Sequence, residues 1–279
     1  MQSIEEITIV VAPDLWSETR EEGRKAAGLI ADHCQKMGNR VAVLHLPNEV
    51  PQKNAPEDLG IETAEAQRYT TVYYPWVTIL AHEGDGDSRV VPPTGHVAGV
   101  WARVDAERGV HKAPANETLR GVIGLAHDVN DAEQVELNNQ GVNAIRTFPG
   151  AGILVWGART LAAADDGDVE HSYINVRRSV NFIKQSILQS TNWVVFEPDD
   201  DRLQTSVKAM VASFLTGLWR RGMLVGKSPE EAFYVTCDET NNPPEQVAEG
   251  KLLVEIGVAL VRPAEFITFQ VSQHIKQST

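Results

Sequence analysis

The chain has 279 residues, with 25 Lys and Arg against 38 Asp and Glu, a formal charge of −13 and 42% apolar residues. That length and apolar content suit one large or two ordinary domains and exclude wholesale disorder. No run approaches the roughly 18 uninterrupted apolar residues of a membrane span, the 2 cysteines cannot make a disulfide framework or a four-ligand zinc site, and the acidic balance opposes phosphate backbones.

The N-terminus, MQSIEEITIVVAPD, carries acids where a signal peptide carries basic residues, so it shows no secretory address. Its β-branched run 7–12 reads as a strand stopped by Pro13-Asp14. A helix follows: Thr19 and Glu22 have capping-box spacing, Gly23, Ala26, Ala27, Ile30, Cys34 and Met37 recur at helical intervals, and Gly38-Asn39 is a C-cap. Residues 41–46 return as a buried strand, which predicts a parallel pair with a right-handed crossover. Residues 47–66 read as a loop running into a short helix. The stretch 70–80 is strand-like, with Pro75 marking an edge or a bend, and 81–96 is loop chemistry. Periodicity leaves 97–104 open between helix and strand, and 105–121 is polar with few anchors. Residues 153–160 read as a strand leaving a Gly-rich turn, an acidic loop 165–170 follows, and a helix begins near Asn175. Trp193-Val194-Val195-Phe196 reads as a buried strand stopped by Glu197-Pro198. The helix 201–221 carries one apolar stripe through Leu203, Val207, Met210, Val211, Phe214, Leu215 and Leu218, with acids at the positive end of its dipole. Strand-like segments at 232–237, 252–261 and 265–271 close the chain.

The opening unit invites a nucleotide-binding reading, but its first turn, Pro13 to Ser17, has no glycine and an acid where a phosphate would lie. Gly150-Ala151-Gly152 has Val at position 155 and precedes a strand, and there is no P-loop, nucleophile elbow, HExxH or C-x-x-C. The runs 82–87 and 165–168 lack the remaining ligands of an EF-hand loop and read as solvated turns. Acids beside Cys237 oppose a thiolate. Neither catalytic residues, nor a metal site, nor a cofactor is expected.

Charge is unevenly spread. Residues 171–227 hold eight Lys and Arg against four acids, a net of +4, while the rest of the chain carries −17. Arg220 and Arg221 at a helix C-terminus complement its dipole. The alternative is a basic face for an acidic partner.

GVNAIRTFPGAGILVWGARTL (141–161) resembles the most characteristic stretch of contractile tail sheath proteins of phages and phage-like injection systems. In order along the chain, VVPPTGHVAGVWARVDAERGVHKAPANE (90–117), YINVRRSVNFIKQSI (173–187), WVVFEPDD (193–200), PEEAFYVTCDETNNP (229–243) and IGVALVRPAEFITFQVSQ (256–273) look like the family's companion segments. The resemblance is dense over about 90–275 and loose over the opening unit.

It implies an α/β fold: an outer mixed α/β part over 1–145, and a C-terminal, tube-proximal sheath domain over 146–279, with a mixed sheet flanked by helices and a terminal strand arm. It implies a structural subunit that stacks as hexameric rings around an inner tube and contracts to drive the tube through a target envelope. Partners would be further copies, the inner tube protein, and baseplate and cap proteins, without nucleic acid or membrane insertion. Assembly would be in the bacterial cytoplasm, within a phage tail or a phage-like particle that can be released. Arg220, Arg221 and Lys227 are expected at the tube face, and Arg159, Arg177 and Arg178 in the structural motif. Glu265, Phe266, Ile267, Thr268, Phe269, Gln270 and Val271 are expected as a strand donated to a neighbour, or as an ordinary intramolecular edge strand. Family members carry an arm before the first domain, whereas the resemblance here begins within the first ten or so residues. A fragment or ordered core of a longer protein is therefore expected, with a short armless variant as the alternative. Two other readings stay open: a baseplate or cap component built on the same domain, and an α/β nucleotide-binding enzyme.

Overall fold

A computed structural model describes residues 4–48, 55–81, 87–165, 168–198 and 200–264. In the opening unit, β1 (Ile9–Val11) and β2 (Val41–His45) pair in parallel across α1 (Arg20–Met37), as expected for two strands joined by a helix. Helix α1 starts in a capping box, with Glu22 N donating to Thr19 Oγ1 at 3.3 Å and Thr19 N donating to the Glu22 carboxylate at 3.2 Å. It ends at Gly38, whose φ of +64° is the left-handed conformation that a C-cap glycine supplies without strain.

Two short helices, α2 (Ala55–Asp58) and α3 (Ala64–Gln67), lead to β3 (Thr70–Tyr74), again parallel to β2. The predicted strand 70–80 divides at the cis bond before Pro75, and β4 (Val77–Leu80) leaves for a separate sheet. There it lies antiparallel between β5 (Ser88–Val91) and β7 (Val122–Leu125). The stretch read as loop therefore contains β5 and the start of α4 (Thr94–Arg108). The open choice over 97–104 falls to helix because Val97, Val100, Trp101 and Val104 form one buried stripe.

After β6 (Glu117–Thr118) and α5 (Asp131–Asn139), β8 (Val142–Phe148) and β9 (Gly152–Trp156) form an antiparallel hairpin. The main sheet has the order β1-β2-β3-β8-β9-β6, parallel as far as β8 and antiparallel beyond it. Alternation within its strands feeds two cores. Ala42, Leu44, Val72 and Ala144 pack towards α1, α3 and α5, while Val41, Val43, Tyr73 and Ile145 pack towards α4. The α/β reading holds, and the mixed sheet is this six-stranded one. Strand β8 runs through position 145, so the boundary expected between 145 and 146 cuts a hairpin of that sheet.

A third core forms where α6 (Ile174–Ser190), α7 (Asp201–Arg220) and α8 (Pro229–Ala232) meet a two-stranded antiparallel ribbon, β10 (Phe233–Thr236) with β11 (Glu255–Val258). Helix α9 (Pro244–Ala248) lies between the two ribbon strands in sequence. The strand expected at Trp193–Phe196 is absent: Asn192–Val194 is a single 3-10 turn, and Trp193, Val195 and Phe196 are exposed. Only ten residues join α6 to α7, and backbone bonds from Val194 N to Thr191 O and from Glu197 N to Val194 O spend them on turns.

Candidate assembly interface

The segment 141–161 closes upon itself through one buried side chain. Asn143 Nδ2 donates to Val72 O (3.1 Å) and Arg159 O (2.8 Å), and Arg159 N donates to Asn143 Oδ1 at 2.6 Å. This approach requires glycine at two places. A Cβ on Gly157 would lie 2.9 Å from Asn143 Cα, and one on Gly141, at φ +71°, would lie 2.5 Å from Thr160 O. The Arg159 side chain reaches back to Asn138 O at 2.9 Å.

The paired arginines of α6 are buried and internally engaged. Arg178 makes a two-pronged bond to Asp105 (2.8 and 2.5 Å) and lies over the Trp101 ring at 4.7 Å, tying α6 to α4. Arg177 lies over the Tyr69 ring at 4.5 Å and donates to its hydroxyl at 3.2 Å, and burial draws its pKa down. Beside them, Arg68 Nε and His171 Nδ1 hold the two oxygens of Asp168 at 2.6 and 2.5 Å. Burial opposes that charge, but these hydrogen bonds keep the Asp168 carboxyl below its ordinary range. None of these partners was legible from the sequence spacing of α6.

Arg220, by contrast, is the last residue of α7, and Arg221 and Lys227 follow it in the chain. All three are exposed, and none forms an ion pair among the described residues. Arg221 Nε donates to Gly217 O at 3.3 Å, which serves the helix terminus, and Lys227 contributes only its backbone N–H, to Glu231 at 2.9 Å. The structure thus leaves both readings of their charge standing.

The same lobe presents two unfinished surfaces. Among the described residues each strand of the β10–β11 ribbon has one hydrogen-bonded neighbour, so each offers a free edge. Beside the ribbon lies an apolar groove of about 1020 Å³, lined by Ile183, Ile187, Val195, Phe196, Leu253 and Ile256 among others. Phe196 is 100% exposed at a φ of +73°, an unusual backbone state for a bulky residue. Sequence reading missed this groove because it buried 193–196 in a strand. The segment 265–271 lies outside the described residues.

Among the described residues no group of three His, Cys, Asp or Glu is placed to hold a metal ion, although the runs 82–87 and 165–168 fall partly outside them. Burial pushes the Cys34 thiol up to about 12, which suits a core residue.

The family description "Phage tail sheath protein central domain" matches residues 3–161, and "Phage tail sheath C-terminal domain" matches 167–274. The tail sheath protein of Vibrio phage KVP40 is 30% identical over 69% of this chain and 27% of its own length. That of Burkholderia phage BcepMu is 30% identical over 71% of this chain and 41% of its own. The chain thus spans less than half the length of either curated relative. Among solved structures, the anti-feeding prophage helical sheath in its contracted state superposes on 98% of this chain and 71% of its own, with a TM-score of 0.82 and 32% identity. The contracted PVC sheath complex of an extracellular contractile injection system gives 98%, 73%, 0.80 and 32% in the same order. A chain of the anti-feeding prophage baseplate gives 98%, 70%, 0.82 and 31%.

Proposed function

Because the chain belongs to the phage tail sheath family, we propose that it is a structural subunit of a contractile sheath that stacks in hexameric rings around an inner tube and contracts to drive it through a target envelope. The observation that carries this reading is the superposition of 98% of the chain on contracted sheath structures at 32% identity. A likeness of that extent makes the second packing of the same subunit, on which contraction depends, a reasonable property of this chain too. The role is mechanical and not enzymatic, and no cofactor takes part.

Lateral and axial contacts would come from strand addition. The free edges of the ribbon suit an extended segment that supplies backbone partners while alternate side chains fill the adjoining groove. Residues 265–271 of a neighbouring copy are the proposed donor. Arg159, Arg177 and Arg178 would then keep the sheet and α6 rigid enough to transmit force. We place the division between the two parts near 161–167, where the two family descriptions meet. Assembly would take place in the bacterial cytoplasm, within a phage tail or a releasable phage-like particle that also has a cap.

The tube would sit against Arg220, Arg221 and Lys227. Exposed, unpaired cations give weak, screened contacts, the kind that must be released on contraction. An Arg220→Glu/Arg221→Glu double variant should retain its fold by circular dichroism yet co-sediment with tube at least ~10-fold less, from the loss of about 1.4 kcal/mol or more. Unchanged co-sedimentation removes these two residues from the interface. The second reading, a baseplate component, is favoured by the match to the anti-feeding prophage baseplate chain. Copy number per particle separates the two.

A further inference from the structure

A cleft of about 610 Å³ lies between the C-terminal end of α4, α5 and residues 261–264. Arg108, Lys112 and Arg262 line it, and no Asp or Glu is among its described lining residues. The charges of Arg108 and of Arg221 at the end of α7 both act on His111, and Arg108 acts on Lys112 as well, where Glu117 opposes it. That acid, Glu117, is held by Arg103 at 3.3 Å.

The same cleft also holds polar atoms without partners. Asn175 is 1% exposed and spends its amide N–H groups on His111 O and Val261 O, both at 2.9 Å. Its Oδ1 has no partner, and neither do the buried Asn138 Oδ1 and His111 Nδ1. Buried acceptors left unpaired are costly and rare, and the two asparagine oxygens around one cleft call for a donor. A ligand that completes the site must present anionic groups to the cations and N–H groups to the acceptors. Inorganic phosphate at neutral pH supplies mainly the first, and a basic peptide only the second.

We infer that this cleft binds an extended acidic peptide segment supplied by a second copy of this chain. Acidic side chains would pair with Arg108 and Arg262, and backbone N–H groups would satisfy the asparagine oxygens. Charge complementarity names the donor: outside residues 171–227 the chain carries −17, so a neighbouring copy offers such segments at high local concentration. The choice of donor rests on the sheath reading, whereas the cleft chemistry does not.

The test is fluorescence anisotropy of a fluorescein-labelled hexaglutamate peptide titrated with the full chain at fixed ionic strength. Saturable binding is expected, weakened at least ~10-fold by Arg108→Glu or Arg262→Glu and several-fold by Asn138→Leu, with Arg89→Glu on β5 as the unaffected control. Equal affinity across all variants would overturn the site. So would displacement by inorganic phosphate at concentrations comparable to the peptide's, because a simple anion would then suffice. For the donor, Asn116→Cys at the cleft rim can carry a benzophenone, since Cys34 and Cys237 are buried. Cross-linking in a mixture of nitrogen-15 and unlabelled chains should give acidic peptides from a second copy, and cross-links confined to one chain or to another protein would overturn that assignment. Peptide binding by a chain that never assembles would sink the sheath reading and spare the cleft, and assembly without peptide binding would do the reverse.

Discussion

Asn143 shows how much of the structural motif depends on single side chains. It is fully buried and satisfies backbone groups of two other segments, so Asn143→Ala leaves Val72 O, Arg159 O and Arg159 N without those bonds. Urea denaturation should show a loss of about 2–4 kcal/mol, and a change below ~0.5 kcal/mol would mean that water replaces the side chain. The run 141–161 was recognisable in sequence by its residue order, but the reason for that order was not. Gly141 and Gly157 are needed because backbone from elsewhere approaches them, and no local pattern encodes that approach. His45 was equally silent. It is fully buried against Trp76, neither ring nitrogen has a partner, and burial lowers its pKa to about 4 from 6.5. The folded state therefore refuses a proton that the unfolded chain accepts below pH 6.5. Its contribution is intact above that pH and is lost as pH falls towards 4, by up to ~3 kcal/mol in total. In His45→Phe, unfolding free energies across that window should be flatter by that amount, and parallel profiles would contradict the assignment.

At the scale of elements, regular segments were legible and irregular ones were not. The capping box, the C-cap glycine and α1 followed from side-chain spacing and caps, and α7 from its one buried stripe, whereas α6 followed from its apolar spacing alone. The apolar run 193–196 misled because hydrophobicity alone reports affinity for a covered site and does not say which molecule covers it. In the isolated chain these residues border an open groove beside the ribbon. Val195→Asp and Phe196→Ser should accordingly change stability by less than ~0.5 kcal/mol while cutting self-assembly measured by sedimentation velocity several-fold. A clear loss of stability with assembly intact would assign the run to the internal core instead.

For the whole molecule, the charge of −13 conceals a division of labour between a basic stretch of +4 and an acidic remainder of −17. Within the basic stretch, Arg177 and Arg178 are locked into internal contacts and Lys208 is paired with Asp238, while Arg202, Arg220, Arg221 and Lys227 are exposed. A subunit whose ribbon edges and groove are open among the described residues, and whose fold superposes on contracted sheaths, should be stable alone but complete only in an array. Electron microscopy of the purified full chain with its tube, over a series of concentrations and ionic strengths, tests this most directly. The account predicts six-fold rings stacking into a hollow helical sheath around the tube. Monodisperse single chains under every condition, with the fold intact, would contradict it.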